Sequence, residues 1–174
     1  MKTTVLFVVV LFVLFPGTNA VYSQNNADTK AINHLIDEYS ALEDTGDMMS
    51  QAKLMAADRV RIAAVSGRMT NQTMNMEIQQ AGFDEAKKFT PGVKYFSDVR
   101  DRLIKFYGDG SVAVASFYWH TSYILPADMP QEKRDQFGPI RPVAFTLVLE
   151  KKGGAWKIVH THTSPLGFPP AANN

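Results

Sequence analysis

Four β-rich segments fill the second half of this chain, at 93–107, 111–125, 142–151 and 156–164. Each is crowded with β-branched and aromatic residues, and glycine-containing turns at Gly108, Asp109, Gly110 and at Gly153, Gly154 divide them, so the spacing predicts antiparallel neighbours joined by hairpins. The stretch 126–140 is the exception. Pro126, Pro130, Gly138 and Pro139 make it too irregular for a strand, and its length suits a lid or rim loop. A sheet must bury one face against a second layer, and the helical patterns of the first half can supply it. The chain is therefore expected to form an α+β domain, with helices on one face of a curved sheet.

In the first half, Ile32, Leu35, Ile36, Tyr39 and Leu42 fall on one helical stripe, with Asp28 or Thr29 placed to cap its start and Gly46 to end it. His34 lies off the stripe and reads as exposed. Asp47 can cap a second short helix reaching to about Ala57, whose apolar side is Met48, Met49, Ala52 and Met55. The period then changes. Val60, Ile62 and Ala64 alternate against Arg59, Arg61 and Ala63, which predicts a short strand with one wet face before a turn at Ser66 and Gly67. From 73 to 89 the pattern predicts one bent helix or two short pieces around Gly82, closed by Pro91 and Gly92. The chain contains no cysteine, so burial and not disulfides must hold the domain together.

Residues 1–20 have the layout of a secretory signal: Lys2, an apolar run over 5–15, then Pro16, Gly17 and the small-residue ending Thr18, Asn19, Ala20. Cleavage is expected after Ala20, giving an exported protein, periplasmic or secreted. The apolar run is well short of the roughly 20 residues that a spanning helix needs, so no permanent membrane anchor is expected. A flexible lead-in at 21–28, one domain at 29–166 and a tail at 167–174 complete the organisation. Without Lys2 the acidic and basic residues are equal in number and interleaved, as at Asp84, Glu85, Lys87 and Lys88, which argues against nucleic acid as a partner.

Read as a strand, 156–164 places Trp156, Ile158, His160, His162 and Ser164 on one face and Val159, Thr161 and Thr163 on the other. The first face runs from apolar to polar, as the wall of a small-molecule pocket does. The same alternation puts Tyr118 and His120 together and Trp119 and Tyr123 opposite them. The expected pocket is therefore Tyr39, Tyr118, His120, His160, His162 and Ser164. His120 and His162 are the candidate catalytic groups, for proton abstraction or acid-catalysed elimination, against the alternative of histidines hydrogen-bonded within the sheet. His160 and His162 have a metal-ligand spacing but lack a third ligand, so no metal site is expected. Asp98, Arg100, Asp101 and Arg102 read as an exposed charged face, and Asp58 as a turn or cap residue. Nothing resembles a phosphate loop, a nucleotide fingerprint or a nucleophile elbow, and no cofactor is expected.

The order helix, Gly46-Asp47, short helix, the strand at 58–65, then Thr146 to Val148, a glycine-rich hairpin and Trp156 to Ser164 resembles the SnoaL-like branch of the nuclear-transport-factor-2-like superfamily. The ending W-x-x-V-H-x-H-x-S, here Trp156, Val159, His160, His162 and Ser164, is also similar to the association domain of calcium/calmodulin-dependent protein kinases. The resemblance implies a cone: a strongly bent antiparallel sheet around a long N-terminal helix, with a cavity at one end and frequent dimerisation across the sheet. It further implies a small, largely apolar ligand, with isomerase, dehydratase or hydrolase activity in some members and homodimeric interaction or assembly without catalysis in others.

Overall fold

The computed structural model describes residues 18–64, 66–137, 140 and 142–167. Among them four helices, α1 (Thr18–Thr45), α2 (Met48–Ala52), α3 (Gln72–Phe89) and α4 (Gln131–Arg134), accompany six strands: β1 (Met55–Ala63), β2 (Gly67–Met69), β3 (Lys94–Tyr107), β4 (Val112–Ile124), β5 (Val143–Lys152) and β6 (Ala155–Pro165). The strands form one curved, unclosed sheet in the order β2-β1-β6-β5-β4-β3. Neighbours are antiparallel except β1 and β6, which run parallel. The α+β class and the helices-first order are as the sequence predicts.

The core lies between α1 and the concave side of the sheet. Ile32, Leu35, Ile36 and Tyr39 are buried on the α1 stripe, facing Ala113, Ala115, Phe117 and Trp119 of β4, Leu147 and Leu149 of β5, and Trp156 and Ile158 of β6. Gly46 ends α1 with φ 69°, a conformation costly for any residue with a Cβ, and a Cβ there would meet the Phe83 ring at 3.1 Å. Asp47 caps α2, accepting from the Ser50 backbone N–H at 2.9 Å. Met48 is buried, whereas Met49 is exposed. Gly82 sits inside α3 without dividing it.

Four details depart from expectation. Residues 21–28 are helical, because α1 runs through Asp28 instead of starting there. Asp28 is a buried anchor: its Oδ1 accepts from Lys151 Nζ at 2.6 Å and from Trp156 Nε1 at 3.1 Å. Second, α2 stops at Ala52 and β1 begins at Met55, where Leu54 O accepts from the Ile158 N–H at 3.0 Å and draws the chain into the parallel pair. Third, Arg59 and Arg61 do not form a wet face. They point to the concave side, toward α1 and α3, and Ile62 is on the outside. Fourth, Asp101 takes φ 53° at a bulge between Arg100 and Leu103, which turns Arg102 inward to pair with Asp37 of α1. The stretch 126–140 carries the short α4 and contributes Ile140 to the cavity described below. The signal and its cleavage site concern residues of which 1–17 lie outside the described ones, as do 168–174 of the tail. No helix among the described residues is long and apolar enough to cross a membrane.

Candidate functional site

A cavity of about 440 Å³ opens between α1, α3 and the concave sheet. Its apolar wall is Trp119 of β4 with Val143 and Phe145 of β5. Trp119 and Phe145 stack with centroids 4.9 Å apart, and Tyr39 meets Trp119 edge-on at 5.6 Å. Phe83 and Gln79 of α3 and Tyr95 of β3 complete the enclosure.

The polar groups come from three directions. From α1, Tyr39 and Glu43 lie one turn apart on the buried stripe, and Asp44 follows. From β1 comes Arg61, and from β6 Thr163, which pairs across to the small Ala63. Ser97 and Thr121 belong to β3 and β4. Several are held in place by one another. Asp44 accepts from the Ser97 N–H at 2.9 Å and from Ser97 Oγ at 2.7 Å, and Trp119 Nε1 donates to Thr121 Oγ1 at 3.0 Å. Buried Gln51 donates through Nε2 both to Glu43 Oε2 at 2.8 Å and to Tyr39 O at 3.0 Å, fixing the carboxyl on its helix.

Burial pushes the Glu43 carboxyl above the usual glutamate range, and the charge of Asp44 adds to this, against the opposing pull of Gln51 and the two arginines. Burial also raises the Tyr39 phenol, with Glu43 adding to the effect, so Tyr39 is a neutral donor and acceptor throughout the working range of pH. Behind Tyr39 lies Arg59, only 1 % exposed. It donates to Asn75 Oδ1, contacts Met76 Sδ at 3.8 Å and interacts electrostatically with Tyr39, while its Nε has no partner among the described residues. Arrangements of this type, a raised carboxyl beside a phenol and a guanidinium in an apolar pocket, can donate a proton and stabilise negative charge on oxygen.

Of the residues expected to line the pocket, only Tyr39 does so. Tyr118, His120, His160, His162 and Ser164 lie on the convex side of the sheet. For β6 the cause is a register shift: Leu149 pairs with Ile158 but Val148 pairs with His160, so one extra residue near Val159 inverts the alternation. Trp156 and Ile158 face the core, and beyond the bulge Thr161 and Thr163 take that side. For β4 the alternation is as predicted, but the inward row is Phe117, Trp119 and Thr121. The two candidate catalytic histidines are not brought together. His162 pairs with Thr146 and through it with Ser116, four residues along β4 from His120 and two strands away. His162 Nε2 is 3.4 Å from Ser164 Oγ on an exposed surface. His160 is held below its ordinary value by partial burial, with the charges of His162 and Arg59 adding to this. Among the described residues no three His, Cys, Asp or Glu side chains converge as a metal site.

The residues that sequence reasoning missed are Glu43, Asp44 and Arg61. Glu43 was reachable, since it continues the Tyr39 stripe by one turn. Arg61 was not, because alternation alone does not say which face of a strand is covered. A corollary concerns His162→Asn. Because the side chain is exposed and outside the cavity, the variant is expected to change stability by no more than about 0.5 kcal/mol and leave cavity binding unaltered, as melts with and without ligand will show.

No curated protein has a matching sequence. Among solved structures, a nuclear-transport-factor-2-like protein with a cystatin-like fold from Novosphingobium aromaticivorans superposes with TM-score 0.67 at 17% identity, covering 90% of this chain and 96% of its own. A second protein of that organism, provisionally named scytalone dehydratase, gives TM-score 0.59 at 14% identity, with 84% and 89% covered. A Xanthomonas campestris protein, provisionally named a calcium/calmodulin dependent protein kinase II association domain, gives 0.58 at 18% identity, with 79% and 87% covered. At these identities the likeness is one of fold. The SnoaL-like domain model matches residues 32–168, which spans both walls of the cavity, and the chain belongs to the SnoaL-like domain family.

Proposed function

We propose that this is an exported protein that binds a small, largely apolar molecule in the cone cavity, and that Glu43 is the acid through which it would act on that molecule. The observation that carries this reading is the cavity itself: about 440 Å³, within the ordinary range for small-molecule sites, with a stacked aromatic wall and a few fixed polar groups. Proton transfer from a raised carboxyl is the step that isomerisation and dehydration require, and the fold likeness to a protein provisionally named scytalone dehydratase is consistent with that class. Glu43 thereby takes the place that His120 and His162 held in the sequence reading.

Thermal melts with a panel of naphthols and tetralones test the binding. A compound present at about 100 times its Kd should stabilise the fold by about 2.7 kcal/mol, a rise of several degrees. Val143→Trp, which fills the cavity, should melt normally and lose the rise. Equal responses from both proteins, or none from the wild type, would overturn the reading. Export is tested separately by N-terminal sequencing of protein from the cell envelope or medium. A start at Val21 supports it, and an intact Met1 species in the cytoplasm contradicts it.

A second reading, homodimerisation, is favoured by the convex side. Phe96, Leu103, Tyr107 and Tyr118 are each 41 to 54% exposed there, and Ile62 adds to the row on β1. Apolar exposure of this extent on one sheet face suits a second copy of the chain, the assembly that the kinase-association likeness also suggests. Light scattering should give twice the chain mass for the wild type and the chain mass for Tyr118→Asp. A wild-type monomer at tens of micromolar would exclude it.

A further inference from the structure

We propose that the ligand of this cavity is an anion, a one- or two-ring carboxylate whose acid group pairs with the Arg61 guanidinium beside Thr163 while its rings lie against Trp119 and Phe145. The inference rests on the cavity being the binding site and adds the chemical class of what enters it.

Two guanidinium groups point to the concave side from β1, and among the described residues neither has a carboxylate within 4.0 Å. Arg61 lines the cavity and, among the described residues, spends only Nη1, on Ser66 Oγ at 3.1 Å, leaving the rest of its donor fork without a partner there. Arg59 is fully buried behind it, with an Nε that meets no acceptor among the described residues. The acids nearby are not ion-paired with them: both oxygens of Asp44 accept from Ser97, and Glu43 Oε2 accepts from Gln51. One guanidinium at the wall of an apolar pocket, with a second buried behind it and neither paired to a carboxylate, is costly when the pocket is empty of anions and favourable when one arrives. The planar fork of Arg61 matches the two oxygens of a carboxylate, and the Thr163 hydroxyl can donate to one of them. The aromatic wall then excludes small inorganic anions as good occupants, since they would bury none of it.

Isothermal titration with 2-naphthoate and its neutral isostere 2-naphthamide tests this. The wild type is expected to bind the carboxylate at least about tenfold more tightly than the amide, the discrimination typical of a charge-assisted pair. Arg61→Gln should erase that preference by lowering the affinity for the carboxylate much more than that for the amide. Arg61→Lys, which keeps the charge without the fork, should retain part of it, and it decides the matter together with the wild-type comparison if Arg61→Gln does not fold. Equal affinities in the wild type, or a preference that survives in Arg61→Gln, would overturn the proposal while leaving a small-molecule cavity in place. Failure of the wild type to bind either compound overturns both.

Discussion

Trp156→Ala is expected to destabilise the domain by about 3 to 5 kcal/mol, the usual cost of removing a large buried ring. Trp156 is 6% exposed, its ring lies 5.9 Å from that of Phe106, and Lys151 Nζ sits 5.7 Å from its centroid. The substitution removes more than area. Its Nε1 is one of two donors to Asp28, so the variant leaves a buried carboxylate with Lys151 alone. Denaturant midpoints will read the loss, and a change below about 1 kcal/mol would show that the ring is not part of the core. The same anchor has an acid signature. Burial works against the Asp28 charge, but the hydrogen bonds from Lys151 and Trp156 and the Lys151 charge outweigh it and hold its carboxyl below the ordinary value of 3.8. A depressed folded pKa contributes stability above that ordinary value and loses it as pH falls through the folded one. Asp28→Asn should therefore melt well below the wild type at pH 6, and the gap should close toward pH 2.5. A gap independent of pH would contradict the anchor.

Arg59→Met is expected to act in the opposite direction, raising stability by about 1 to 4 kcal/mol, the range seen when buried ionic groups give way to well-packed apolar ones. Each partner survives the change. Asn75 Oδ1 still accepts from Gln79 Nε2 at 3.0 Å, Tyr39 lines the cavity, and Met76 offers an apolar contact to the new side chain. What disappears is a desolvated cation whose Nε has no acceptor among the described residues. A stabilised variant with weakened binding of carboxylates would mark Arg59 as a residue kept for the cavity at the expense of the fold. Destabilisation by more than about 2 kcal/mol would mean instead that it holds α3 to β1.

The sheet and the α1 stripe were legible because they rest on local signals. Glycine turns fix β3 to β6 to within two residues, and the apolar spacing of Ile32 to Leu42 requires one buried helix face. The site was much less so, for two physical reasons. A bulge adds one residue to β6 without altering its composition, so His160 and His162 exchange sides with Thr161 and Thr163 while every local preference stays satisfied. The inward turn of Arg59 and Arg61 depends on α3 offering Asn75 and Gln79 opposite them, a partnership across more than a dozen residues that alternation within β1 does not encode. The helix start was misplaced for a similar reason, since Asp28 looks like a cap until Lys151 and Trp156 are folded against it.

The chain has two tryptophans, and they make the central claim directly measurable. Trp119 lines the cavity with its indole N–H on Thr121, whereas Trp156 is buried against Phe106 and Asp28, outside the cavity lining. In a nitrogen–proton NMR spectrum the two indole signals can be followed separately as 2-naphthoate is added. If the ligand occupies the cavity, the Trp119 indole shifts to saturation while that of Trp156 stays in place. Movement of the Trp156 signal alone, or a Trp119 signal unchanged at millimolar ligand, would contradict the account.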